Sequence, residues 1–215
     1  MHLYFATSNP GKLADFAYAA RTFAGVTLLP LPDLDRIPTP DESASTFEGN
    51  ALIKALAYSA LAPHEIVLAD DSGISVRGLG GAPGVRSARF ADDEGFGSPS
   101  TPLDARNMAC LLDRAARLRY RDVSYLCSLA AVRDGKLLAT GFGELQGRLM
   151  DAPRGNGGFG YDPIFEILEL NQTMAEIDEE TRLRTSHRGR ALVDLLRRLA
   201  PGNLSGITVF AQCRR

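Results

Sequence analysis

The chain has 215 residues, 45% hydrophobic and 23% charged, which suits one large α/β domain or two closely packed lobes with a full core. Its net charge of −2 excludes a global field for nucleic acid or an anionic membrane, so an anionic ligand must meet local basic groups. No apolar stretch is long enough to span a bilayer, the first ten residues carry no signal-peptide core, and three widely spaced cysteines show neither zinc spacing nor a disulfide framework, so a reducing cytoplasm is expected.

Leu3 to Ala6 reads as a short buried strand, and Thr7-Ser8-Asn9-Pro10-Gly11-Lys12 as the turn after it. Asn9 is the expected cap of the following helix and Pro10 its first residue. Leu13, Phe16, Ala17 and Ala20 fall on one helical face. The free N–H groups at such a helix start, with Lys12 in the first turn, suit a phosphate, although the spacing of a Walker loop is missing. An exposed lysine on an ordinary helix start is the alternative.

Val26 to Leu29 is the second expected strand, and Pro30 to Pro40, with its four prolines, is loop. A helix begins near Ser45, where Ser45 and Glu48 form an S-x-x-E capping box. Glu42 lies outside the cap and has no structural duty. Asn50 and Lys54, four apart, project from one side of this helix.

The apolar run from Glu65 to Ala69 then ends in Asp70-Asp71-Ser72-Gly73, read as an acidic turn, with Ile74 to Val76 continuing the sheet. Two adjacent acids need a metal or a basic side chain nearby, unless the turn is simply solvated. Asp92 to Ser100 is a polar, glycine-containing loop. Thr101 and Pro102 open a helix whose buried face is Met108, Leu111, Leu112 and Ala115.

Val123 to Val132 and Lys136 to Gly147 read as a hairpin about Asp134-Gly135, with Gly141 and Gly143 marking a bend or bulge. Arg154 to Pro163 carries four glycines and two aromatics, which lets backbone and ring faces approach a flat ligand. After a short helix over Asp178 to Leu183, His187 and Arg188 open the last strong helix, with a stripe of Leu192, Leu195, Leu196 and Leu199. Pro201-Gly202 ends that helix, and Ser205 to Gln212 is a candidate terminal strand. Two cationic groups at a positive helix end call for an anion or an acceptor.

These groups fall into three sets. Lys12, Lys54 and Arg182 suit a polyphosphate. Glu42 and Asp71, with or without Asp70, suit Mg²⁺. Phe159, Tyr161, Asp162, His187 and Arg188 suit a base. The motifs that carry them, from Thr7–Lys12 through Phe47–Lys54, Ala69–Gly73 with Gly80–Phe90, Gly157–Pro163 and Ser186–Gly189, resemble those of the inosine triphosphate pyrophosphatase family, in order, over residues 3 to 199.

The resemblance implies a single nucleotide-hydrolysing domain with an elongated mixed β-sheet flanked by helices, and a nucleotide cleft between two lobes. It implies Mg²⁺-dependent hydrolysis of ITP, dITP and XTP to the monophosphate and pyrophosphate by a cytoplasmic homodimer. Carried over by position, Thr7, Ser8, Asn9, Pro10, Gly11 and Lys12 meet phosphate and sugar. Asp71 activates water and holds metal, and Ser72 touches the nucleotide. Phe159, Gly160, Tyr161 and Asp162 form the base-side loop, and His187 and Arg188 read the purine edge. Many members have Glu where this chain has Gly49, so the metal-binding acid is best matched by Glu42, with Asp41 as its rival. Many have Lys at the position of Arg182, which changes a point charge into a planar fork. The competing readings are a nucleotidase with another base preference and a nucleotide sensor without catalysis.

Overall fold

A computed structural model describes residues 1–199. A seven-stranded mixed sheet runs through them in the order β2-β1-β3-β4-β5-β6-β7. β1 (His2–Phe5) lies parallel to β2 (Thr27–Pro30) and β3 (Ile66–Val76). β4 (Asp122–Arg133), β5 (Lys136–Leu149), β6 (Phe165–Ile167) and β7 (Gln172–Thr173) continue antiparallel from β3. The expected Asp134-Gly135 hairpin is present, with both residues at positive φ (50° and 72°), as a tight two-residue turn requires.

The acidic stretch is not a turn. Asp70, Asp71, Ser72 and Gly73 lie in the middle of β3, paired with Leu129, Ser128, Cys127 and Leu126 of β4. β1 stops earlier, at Phe5 opposite Leu68, and the Ala6 N–H caps the Leu68 carbonyl at 2.8 Å. Beyond Leu68, β3 therefore has a partner strand on one side only. The Gly-rich turn after β3 folds back along that open edge, where Ser87 Oγ accepts the Ile74 N–H at 2.9 Å. Gly73 permits this approach: a Cβ there would stand 2.8 Å from the Gly84 carbonyl oxygen and collide with the Ser87 hydroxyl.

The core divides along the long strands. At one end of β3, Val67 and Ala69 pack with Ala51 and Ala55 of α2 (Phe47–Tyr58) on one face. Leu68 packs with Phe16 of α1 (Pro10–Ala20) and Leu192 and Leu195 of α6 (His187–Leu199) on the other. At the other end, Ile74 and Val76 join Tyr125, Phe165 and Leu111 of α4 (Leu103–Ala115). A short helix α3 (Phe90–Asp93) occupies the start of the expected polar loop, and α5 (Glu179–Thr185) precedes α6. The carboxylates of β3 sit where these two packed ends meet.

Three local expectations are corrected. The cap of α2 is Thr46, not Ser45; its hydroxyl accepts the Gly49 N–H at 3.1 Å, and Glu48 is exposed on the first turn outside any capping box. α4 starts one residue later than expected, with Pro102 at the cap position and no side-chain cap from Thr101. Gly141 and Gly143 do not bend β5. They let α6 lie against it: a Cβ on Gly141 would stand 2.6 Å from Leu195 Cβ, and one on Gly143 2.5 Å from the Ala191 nitrogen. The helix stop at Pro201-Gly202 and the strand expected over Ser205 to Gln212 lie outside the described residues.

Candidate active site

Successive side chains of a strand point to opposite faces. Asp70 shares its face with Leu68 and so points toward α1 and α6. Its Oδ2 receives Lys12 Nζ at 2.9 Å and Ser72 Oγ at 3.2 Å. Burial alone would push the Asp70 carboxyl up, but Lys12 and Lys54 outweigh it and hold the group below the usual carboxylate range.

Asp71 shares the face of Val67 and Ala69 and points toward α2. Asn50 Nδ2 donates to its Oδ2 at 3.0 Å, and Lys54 Nζ stands 3.7 Å from its Oδ1. The same Lys54 Nζ is 3.0 Å from Glu42 Oε1. Burial is the largest influence on Asp71 and leaves its carboxyl above the usual range in spite of Lys54 and Asn50. Burial also works against the charge of Lys54, yet Asp70, Asp71 and Glu42 together keep that charge and raise its pKa. Asn50 is itself aimed by the Ala44 N–H, which donates to its Oδ1 at 2.9 Å. Asp41 is exposed and makes no bond to this cluster.

The turn before α1 matches its sequence reading. Asn9 is the cap, with extended backbone (φ −85°, ψ 114°), and its side chain accepts the Lys12 N–H. Thr7 Oγ1 accepts the Asn9 N–H at 3.2 Å, while Ser8, Asn9 and Pro10 are exposed. Gly11 faces the Phe159 ring so closely that a Cβ would stand 2.7 Å from it. The aromatic loop thus reaches the start of α1. A surface depression of about 360 Å³ lies here, lined by Gly11, Phe159, Ile177, Glu179 and Arg182 and separate from the acidic cluster.

On this same side, Arg188 lies with its guanidinium carbon 5.0 Å from the Phe159 ring centroid. Arg188 and Arg182 both bind Asp15, at 2.9 and 3.3 Å, and Asp15 is buried within α1. Burial opposes the Arg188 charge, but Asp15 and Asp70 outweigh it. His187 is buried with both ring nitrogens unpartnered. Burial and the neighbouring Arg188, Lys12 and Arg190 hold it neutral, well below the usual imidazole range.

The aromatic loop uses its residues differently from the expectation. Phe159 and Gly160 are half-buried. Tyr161 does not present a ring face to a ligand: it turns into the core, and its hydroxyl donates to the Ser87 carbonyl at 2.8 Å. Asp162 is also buried; it accepts the Phe159 N–H at 3.0 Å and the Tyr125 hydroxyl at 2.9 Å. Arg182 does not join Lys12 and Lys54 but is engaged by Asp15.

Two residues of this cluster escaped the sequence reading. Asp15 stands next to Phe16, beside the face assigned as apolar, and only the group of arginines in the last helices hints at its partners. Tyr125 sits in a strand that reads as plain core, and nothing local marks its hydroxyl. Among the described residues, no three His, Cys, Asp or Glu side chains converge as a metal cage, and no helix is long and apolar enough to cross a membrane.

The fold and site define an α/β protein whose mixed sheet carries a charged cluster just beyond the end of a parallel strand. The chain belongs to the Ham1 family, whose model matches residues 3–198, in agreement with the resemblance read from the motifs. It is 52% identical over 202 residues to a dITP/XTP pyrophosphatase of Acidobacterium capsulatum, across 93% of this chain and 98% of that one. It is 45% identical over 204 residues to a dITP/XTP pyrophosphatase of Aromatoleum aromaticum, across 94% and 98%. Among solved structures, a HAM1 protein from Coxiella burnetii superimposes with a TM-score of 0.75 at 34% identity, covering 90% of this chain and 95% of that one. A nucleoside-triphosphatase / dITP/XTP pyrophosphatase from Mycobacterium abscessus gives 0.68 at 35% identity, covering 90% and 97%.

Proposed function

We propose that this protein hydrolyses dITP, ITP and XTP to the nucleoside monophosphate and pyrophosphate, acting with Mg²⁺ as a cytoplasmic homodimer. The observation that carries the reading is the convergence of Glu42, Asp71, Asn50 and Lys54 beside a lysine-bearing helix start, in a chain 52% identical to a dITP/XTP pyrophosphatase.

The donor set fits Mg²⁺. Glu42 and Asp71 are hard carboxylates that already share one cation, Lys54 Nζ, and Mg²⁺ commonly takes one or two carboxylates, with phosphate oxygens and water as its other ligands. When bound, Mg²⁺ supplies charge neutralisation at the phosphates. Lys54, Lys12 and the positive end of the α1 dipole grip the triphosphate from the protein side. Asp71, its carboxyl raised by burial, takes the proton of the attacking water as the α–β anhydride bond breaks. Asn50 holds that carboxylate in one orientation. Asp70, bonded to Lys12 and Ser72, is a charge balance for the phosphate lysine and not the base.

Base selection follows from chemistry at Arg188, which packs on the Phe159 ring. Hypoxanthine and xanthine carry a carbonyl at the six position, where adenine carries an amino donor. A donor from Arg188 facing that position meets an acceptor in the first case and a donor in the second, a mismatch of about 2–4 kcal/mol when buried. The test is to incubate the protein with Mg²⁺ and, separately, ITP, XTP, GTP, ATP and dUTP, and to identify the products. Orthophosphate in place of pyrophosphate, or equal rates on ITP and ATP, overturns the reading.

A further inference from the structure

Tyr125 joins three elements that the base side of the site depends on. It sits on β4, paired with Ile74 of β3 and Leu145 of β5, so its backbone is held on both sides. Its ring is stacked between two others. Phe165 of β6 lies 4.3 Å away at 14°, and His187 at the start of α6 lies 4.8 Å away at 12°. Its hydroxyl donates to Asp162 Oδ1 at 2.9 Å, and the other oxygen of Asp162 accepts the Phe159 N–H at 3.0 Å.

None of these contacts is replaced by another group. His187 has no hydrogen-bond partner at either ring nitrogen, so the stack on Tyr125 is the directional contact that sets its ring plane. The aromatic loop is rich in glycine, with Gly155, Gly158 and Gly160 at positive φ; backbone bonds tie Arg154 to the Pro163 carbonyl and Gly157 to the Ala175 carbonyl, and the Phe159 end is left to Asp162. Asp162 pins it, and Tyr125 pins Asp162. Burial, and then Asp162, push the phenol well above its ordinary range, so it stays a donor to Asp162 across the working pH.

We propose that Tyr125 is a positioning residue for purine selection: its hydroxyl orients Asp162 and the Phe159 loop, and its ring orients His187, so that both sides of the base-reading surface are set from one point on β4. The proposal rests on the nucleotide reading above and deepens it. Tyr125 does not touch the reacting phosphates and leaves Asp71, Lys54 and Glu42 in place.

The test compares wild type with Tyr125→Phe, which keeps both ring stacks and deletes only the hydroxyl, and with Tyr125→Leu, which deletes both. Hydrolysis of ITP and ATP gives KM and kcat, and calorimetric titration with IMP and AMP gives binding of the base without a scissile anhydride. The expected result for Tyr125→Phe is a KM for ITP raised about tenfold, kcat within about twofold, and an ITP-over-ATP preference reduced by a similar factor. IMP affinity falls in parallel, and Tyr125→Leu loses more of the preference. A lower melting temperature with unchanged KM, preference and IMP affinity marks a merely structural role and overturns the proposal. If wild type hydrolyses none of the triphosphates, the activity reading fails separately, and equal IMP affinity of wild type and Tyr125→Phe still decides the role of Tyr125. Should Tyr125→Leu not fold, Tyr125→Phe alone carries the test.

Discussion

Asp70 and Asp71 are adjacent in sequence and face opposite sides of the same sheet. Asp70 meets Lys12 on the α1 side at 2.9 Å, and Asp71 meets Asn50 on the α2 side at 3.0 Å. The pleat of β3 is what separates them. One strand residue thus holds Lys12, and its neighbour is left to a less completely neutralised environment with Glu42 and Lys54. Two carboxylates in a turn could not have been divided so cleanly.

The division predicts unequal consequences of removing each charge. Asp71→Asn keeps the shape and one acceptor oxygen but cannot take a proton. Turnover of ITP falls about 10²- to 10⁴-fold while nucleotide affinity stays within a few-fold, measured by steady-state kinetics beside titration of ITP without turnover. Asp70→Asn leaves Lys12 without its counter-charge, and its main effect is on KM and thermal stability. A crippled Asp70→Asn beside an active Asp71→Asn would show that the base has been placed on the wrong face.

Asp15 carries a second prediction. It is buried and answers two guanidinium groups, those of Arg182 and Arg188, whose side chains are themselves only 12% and 11% exposed. Removing one member of a buried ion cluster costs about 3–5 kcal/mol, because the remaining charges lose their compensation. Asp15→Ala should therefore lower the urea midpoint strongly. Replacing Arg182 alone should cost less, since Asp15 keeps the shorter bond to Arg188. Equal midpoints for wild type and Asp15→Ala would show that water reaches this cluster.

The sequence made some of this legible and not the rest, and the difference follows the range of the interactions. The Asn9 cap with Pro10 behind it, the Asp134-Gly135 hairpin and the leucine stripe of α6 are local signals, and each is found as read. Asp-Asp-Ser-Gly has turn chemistry of its own, but pairing with Leu126 to Leu129 of β4, more than fifty residues on, overrides it. The partners of Asp15 lie 167 and 173 residues away, and no pattern near Asp15 encodes them. Ser45 and Thr46 are neighbouring candidate caps of equal chemistry. What distinguishes them is a short-range bond that neither residue's type announces: the Ala44 N–H is drawn to Asn50 of the same helix, which fixes the chain just before Thr46.

Metal binding should be coupled to nucleotide. Lys54 Nζ stands between Glu42 and Asp71, the two acids proposed for Mg²⁺, and a divalent ion near both would meet its positive charge. A triphosphate offers Lys54 another anionic partner. Titration with Mn²⁺, followed by electron paramagnetic resonance, should show weak binding to the protein alone and at least about tenfold tighter binding to Lys54→Met, where the competing cation is gone. Chelation with EDTA should abolish hydrolysis of ITP by wild type, with recovery on adding Mg²⁺. Mn²⁺ affinity that is the same for wild type and Lys54→Met would separate the lysine from the metal site.

The last prediction concerns pH and the buried His187. Burial, first, and then the positive charges of Arg188, Lys12 and Arg190 hold this imidazole neutral in the folded chain, far below its usual range. In the unfolded chain it protonates near its ordinary pKa of about 6.5. Below that pH the unfolded state binds a proton that the folded state refuses, so stability is complete above about pH 6.5 and declines as the solution is acidified toward the folded-state value. The limiting slope from one such group is about 1.4 kcal/mol per pH unit. Asp71 and Asp162, whose carboxyls burial raises, act in the opposite sense: they favour the folded state as they take up protons on acidification. The comparison therefore has to be made against a variant that keeps both acids. His187→Gln, denatured in urea at intervals from pH 7.5 to 5.0, should lose less stability on acidification than wild type. The gap between the two curves should open below about pH 6.5 and widen downward. Parallel curves across that range would mean that His187 takes up its proton in the folded protein as readily as it does in the unfolded chain.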